Sequence, residues 1–301
     1  MEFTVQDTLS VYRKIIAEKN TEKKQAIFRD ELMKPYESMF NAFGSSLHPG
    51  AGMMDAMMML QGWSFILPQQ IDERALPRLE TMEKYHAWGL MAETLKKAID
   101  AFRKYEDRIP LEHIQAGIFL LDPAKMDPAD HSYTGFGGVP GYVMMTYGEP
   151  DAYNMSKFQS ALAHEIHHTI KFSTAPFNPM NISVGEYMVL EGMAESFGTA
   201  LYGKGRVGYY VEEFDMSQMP RVKEAMKKAL DLTSFNEVRS YLYGDRKVTQ
   251  FGGNGVGMPD YAGYACGYFI VQDYMKNTGS DIIETTFTPV DEIIEESGFF
   301  D

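Results

Sequence analysis

Residues 164 to 168 read HEIHH, which fits the pattern His-Glu-x-x-His, and in a helix that spacing has a chemical consequence. Four residues turn through about 400°, so the His164 and His168 imidazoles leave the helix on one side, where both can bind one Zn²⁺ at about 2.0 to 2.1 Å. Glu165 follows the first histidine directly. In this arrangement its carboxylate acts as general base on a water that the metal has acidified toward a pKa of about 7. His167 could serve as an i, i+3 ligand in place of His168. The i, i+4 pair is the better precedented, which leaves His167 to support a ligand or to pack.

A catalytic zinc needs a third protein ligand and an open fourth position. The segment LEGMAES offers Glu191, 23 residues after His168, and Glu195 one turn further on the same face. Glu191 is read as the metal ligand and Glu195 as the carboxylate that holds His164 or His168 in its tautomer, although the two roles could be exchanged. Glu186 falls about 140° round the helix from Glu191 and off that face. A tetrahedral intermediate also needs a donor for its oxyanion. Tyr261, Tyr264 and Tyr268 of DYAGYACGYFIVQDY fall within two helical turns, with Tyr264 the first choice and Tyr268 the second.

These side chains require two helices and a sheet. Asp151 offers an N-cap for a helix to about Phe172, whose buried stripe is Phe158, Leu162, Ile166 and Ile170. A second helix spans about Val184 to Tyr202 and packs through Leu190, Met193, Phe197 and Leu201. A glycine inside a helix costs about 1 kcal/mol relative to alanine, so Gly192 there points to a close approach by another backbone. His113 to Leu121 reads as a short strand ended by Asp122 and Pro123. GFGGVPGYVMMTYG follows as a second extended segment, and Pro140 confines its start to a sheet edge. An extended substrate could pair along residues 139 to 147 of such an edge.

Residues 1 to about 109 read as helical, with Val5, Leu9, Tyr12, Ile15 and Ile16 three and four apart. Further helices are expected near 218 to 243, from Tyr261 to Lys276, and after Thr288 and Pro289. The expected fold class is α+β, mostly α. It comprises an N-terminal helical lobe of residues 1–110 and a catalytic domain of residues 111–301, with the sheet and active-site helix ending near 172 and a helical subdomain after.

Composition narrows the partners. The 301 residues are 45% hydrophobic and 23% charged, values of an ordered globular chain. Twenty-eight basic against 42 acidic side chains give a net charge of -14, which repels a phosphate backbone and argues against nucleic acid. Cys266 is the only cysteine, so no intramolecular disulfide can form and any metal must be held by His, Asp or Glu. That thiol is read as a small buried hydrophobe. The first ten residues lack the basic and apolar regions of a secretory signal, and the apolar run Ile114 to Leu121 is far shorter than the roughly 20 residues of a membrane span. A cytoplasmic protein is expected, with no membrane partner and an oligomeric state the residues leave open.

Weaker signals receive bland readings. GGNGVG at 252–257 lacks the lysine and the βαβ setting of a phosphate loop and is read as a mobile loop near the cleft. Met53, Met54, Met57, Met58 and Met59 are read as adaptable core rather than copper ligands. His48, His86, His113 and His131 are scattered and take no role.

The ordered set of GGVPGY, HEIHH, EGMAE and GYACGY, across roughly residues 111 to 278, resembles the YjaZ-like predicted zinc-dependent proteases, bacterial zincins of the gluzincin type. The resemblance implies a zincin-like metallopeptidase fold, with a small sheet whose edge strand holds substrate beside the active-site helix. It also implies one zinc held by His164, His168 and Glu191, with Glu165 as the base. Glu195 stands where better-known gluzincins carry an aspartate. The expected activity is hydrolysis of a peptide or protein substrate by metal-activated water. The alternatives are a zinc hydrolase of small non-peptide amides and a non-catalytic zinc- or peptide-binding protein; a purely structural zinc would need no base and usually has four protein ligands.

Overall fold

Extended segments after His113 and a short one at the N-terminus build a four-stranded sheet in the computed structural model, which describes every residue except 51, 176, 177, 179 and 251. The strands are β1 (Glu2–Val5), β2 (His113–Leu120), β3 (Tyr133–Phe136) and β4 (Tyr142–Tyr147), in the spatial order β1-β2-β4-β3. β2 pairs in parallel with both β1 and β4, while β3 runs antiparallel to β4. The fold is α+β and mostly α, as expected.

Two local expectations change. Val5 belongs to β1, opposite Ala116, rather than to a helix. The first helix begins only at Thr8, where Asp7 caps it by accepting the Ser10 N–H at 3.0 Å. The segment 139–147 is no sheet edge either, because β4 has a neighbour on each side. Pro140 lies before the paired residues, so its missing N–H costs the ladder nothing. Gly141, at φ 89°, turns the chain into the strand. The antiparallel edge of the sheet is β3.

Two compact units divide the chain, residues 1–100 with 110–169 and residues 101–109 with 170–301. The first holds the sheet and most of helix α1 (Ala152–Thr174). Register fixes what each face of the sheet meets. Tyr133, Gly135, Met145 and Tyr147 share the face on which Tyr147 stacks against Phe158 of α1, at 6.2 Å between ring centroids. Phe119, Tyr142, Met144 and Phe136 share the other, where Tyr36 meets Phe119 edge-on at 5.3 Å.

The second unit is helical. α2 (Val184–Tyr202) opens with a capping box in which Ser183 Oγ accepts from Glu186 N–H and Glu186 Oε2 from Ser183 N–H. That bond occupies Glu186, the carboxylate read as lying off the metal-facing side. α2 ends at Gly203, at φ 92°. It packs on α3 (Ala262–Thr278) so closely that a Cβ on Gly192 would lie 2.0 Å from the Gly267 carbonyl oxygen, and one on Gly267 1.9 Å from that of Met188. The close approach read from Gly192 is therefore real. No helix among the described residues is long and apolar enough to cross a membrane.

Candidate metal centre

α1 is fastened to the sheet at both ends. Asp151 caps it by accepting the Asn154 N–H at 2.8 Å, and the Asn154 amide donates to the carbonyls of His131 and Glu149. Near its other end the Thr169 hydroxyl accepts the Gly141 N–H at 2.8 Å and donates to the Val139 carbonyl at 3.2 Å. Between these ties, Gly135 and Gly137 admit Glu165. A Cβ on Gly135 would sit 2.4 Å from Glu165 Cγ, and one on Gly137 2.1 Å from the Glu165 carbonyl oxygen. The glycines of GFGG are thus what lets β3 lie directly against the HEIHH turn.

Among the described residues one group could hold a metal ion. His164, His168 and Glu191, all buried, each offer one ligand atom within 4.8 Å of the others. The two histidine Nε2 atoms lie 2.9 Å apart with rings edge to face. Two nitrogens on a tetrahedral zinc at about 2.0 to 2.1 Å stand roughly 3.3 Å apart, so a shift of a few tenths of an ångström brings them to that spacing. Two imidazoles and a carboxylate converging in a buried place suit a divalent ion, and the group is compatible with a zincin-like site. The fully buried His167 lies outside it.

The remaining expected residues find definite surroundings. Burial pushes the Tyr264 phenol well above its ordinary value, and the Glu191 carboxylate pushes it further. This hydroxyl stays protonated at neutral pH and able to donate. Tyr268 is raised by burial too, but the charge acting on it is that of Glu195. Glu195 is buried and accepts hydrogen bonds from the Gly208 N–H, at 2.6 Å, and from the Tyr210 hydroxyl. Cys266 is buried and its thiol is pushed up to about 12, as suits a packing residue.

Sequence reasoning missed Tyr187, which the Glu191 charge acts on, and its partner Tyr243. The Tyr187 and Tyr243 hydroxyls meet at 3.1 Å, and the Glu191 charge raises Tyr187 after burial and Tyr243 have done so. Tyr187 stands one turn before Glu191 on α2, a spacing that could have flagged it; Tyr243 carries no such signal. Nor did any spacing point to Gly208 and Tyr210 as partners of Glu195.

The glycine loop is held rather than loose. The Asp245 carboxylate accepts the N–H groups of Val256, Gly257 and Met258. The methionine reading is overturned: Met53, Met54 and Met58 are 44%, 48% and 65% exposed, and Met57 and Met59 are half-buried. Met53 and Met54 lie before helix Ala56–Gly62 and Met58 is on its exposed side, while Met59 Sδ accepts from the Ser45 hydroxyl at 3.9 Å.

The whole chain is 30% identical over 304 residues to a Bacillus subtilis (strain 168) protein called "Uncharacterized protein YjfC", covering 100% of this chain and 99% of that one. No solved structure matches. The resemblance to predicted zinc proteases is borne out by a family model that matches residues 87–295, a span that includes HEIHH, Glu191 and Tyr264. The chain belongs to the family described as "Predicted Zn-dependent protease (DUF2268)".

Proposed function

We propose that this protein is a zinc metallopeptidase of the gluzincin type, acting in the cytoplasm, with one zinc per chain held by His164, His168 and Glu191. The buried convergence of those three side chains carries the reading. A bound zinc would supply Lewis-acid polarisation of the scissile carbonyl and acidify a water. Glu165, set against β3 at Gly135, takes a proton from the attacking water and returns it to the leaving amine nitrogen. Tyr264 donates its hydroxyl to the developing oxyanion. Glu195 acts as a positioning residue behind the ligands, anchored by Gly208 and Tyr210.

The substrate strand belongs on β3 rather than on residues 139–147. Gly148 N–H donates to the Ser132 carbonyl, and the antiparallel alternation then points the Gly135 N–H and C=O away from β4, toward the open edge. An extended peptide can pair there, next to Glu165. The test is turnover of a quenched-fluorescent peptide library by zinc-replete wild type and Glu165→Gln. Wild type should cleave and Glu165→Gln should be slower by at least about 10²; equal rates contradict the role of Glu165.

A further inference from the structure

Three rings at the end of β3 and the exposed methionines near them in sequence serve no purpose in the chemistry above. Phe43, Trp63 and Phe136 form a closed set, with ring centroids 5.8 Å apart for Phe43–Trp63, 5.3 Å for Trp63–Phe136 and 6.2 Å for Phe43–Phe136. Phe43 is 40% exposed and the other two are half-buried. Exposed Met54 pairs with Ser45, two residues after Phe43, and helix Ala56–Gly62, which carries exposed Met58, leads into Trp63. An apolar surface of this kind on a soluble domain marks a place where something binds.

Register decides what that is. Phe136 is the last residue of β3 and neighbours Gly135, whose outward N–H and C=O face the open edge and whose Cβ position abuts Glu165. In a strand added to this edge, side chains alternate between the two faces. The residue opposite Gly135 faces α1 and Glu165. The next residue, opposite Phe136, projects on the opposite face beside the three rings, at cross-strand contact distance. The aromatic surface is continuous with the edge, and what it receives is a side chain one residue along from the one facing the base.

We propose that Phe43, Trp63 and Phe136 form a specificity subsite that takes a large apolar or aromatic side chain of an extended peptide substrate paired on β3. This rests on the peptidase reading, and the experiment separates the two. Quenched-fluorescent decapeptides carrying Phe, Leu, Ala or Asp at a single varied position would be cleaved by wild type, Phe43→Ala, Trp63→Ala and Trp63→Phe, with cleavage sites read by mass spectrometry and folding by circular dichroism. Wild type should favour Phe or Leu over Ala in kcat/KM by about tenfold or more at one position near the scissile bond. In folded Phe43→Ala and Trp63→Ala that ratio should fall at least threefold, and Trp63→Phe should restore most of it. An unchanged ratio in both alanine variants, or no apolar preference in wild type, overturns the subsite.

If wild type cleaves nothing, the peptidase reading fails by itself, and the subsite is judged by binding. Trp63 and Trp88 are the only tryptophans, so a Trp88→Phe chain reports Trp63 emission alone. A shift on adding the Phe peptide but not the Ala peptide sustains the subsite, and the same response to both refutes it.

Discussion

Alanine at Gly137 and alanine at Gly135 should have different consequences, because the added carbon meets different parts of Glu165. At Gly137 it would lie 2.1 Å from the Glu165 carbonyl oxygen, where ordinary contact begins at 3.4 Å. The segment just after β3 and the helix must therefore separate locally by about 1.3 Å. The Asn154 and Thr169 ties oppose that movement, so Gly137→Ala should cost about 1 to 3 kcal/mol, as overpacking does. At Gly135 the carbon would meet Cγ at 2.4 Å and Oε1 at 2.5 Å, atoms of a side chain that can rotate aside. An off-rotamer side chain costs about 0.5 to 1.5 kcal/mol, yet a general base displaced by roughly 1 Å loses about 10² in rate. Urea unfolding followed by tryptophan fluorescence, alongside kcat/KM on a cleaved peptide, reads both quantities. Gly137→Ala should lose stability and activity together, and Gly135→Ala mainly activity. A wild-type rate in Gly135→Ala, or a wild-type urea midpoint in Gly137→Ala, would refute the reasoning.

Further outcomes follow from packing and charge. Gly267→Ala should destabilise the chain by about 1 to 3 kcal/mol in urea despite alanine's better helix propensity, because its Cβ would meet the Met188 backbone at 1.9 Å. Burial raises the Asp55 carboxyl, but hydrogen bonds from Arg29 and the Met57 N–H outweigh it and hold the group below its ordinary 3.8. The folded state thus favours the carboxylate, so the contribution is present above about pH 4 and is lost as pH falls through the lowered value. Thermal melts of wild type and Asp55→Asn should differ near neutrality and converge in acid; a constant difference contradicts this. Cys266, with its pKa near 12, should react with a thiol reagent at neutral pH only when the chain unfolds, and rapid labelling of native protein would contradict its burial.

Local signals made much of this legible. α2 is legible because Leu190, Met193, Phe197 and Leu201 repeat at helical spacing, and its ends fall where Ser183 and Gly203 cap it. HEIHH fixed which residues share one side of α1 from spacing alone. What escaped depends on distant partners. β1 is four residues long and is a strand because Glu112 to Ala116 lies beside it. Pro140 points to the wrong edge because it sits just outside the paired segment, while β3, short and containing Gly135, gives little strand signal. The methionines read as core because methionine in a helical segment usually packs, and nothing local shows that Met53, Met54 and Met58 stay exposed. Glu195 takes hydrogen bonds from Gly208 and Tyr210, which lie beyond the end of α2, where no repeat relates them to it.

The central claim is that three side chains hold one zinc, and metal per chain tests it most directly. Mass spectrometry of wild type and Glu191→Ala, loaded with zinc and freed of excess, should find about one zinc per chain in the first and little in the second. No retained zinc in wild type, or a full complement in Glu191→Ala, would contradict the assignment.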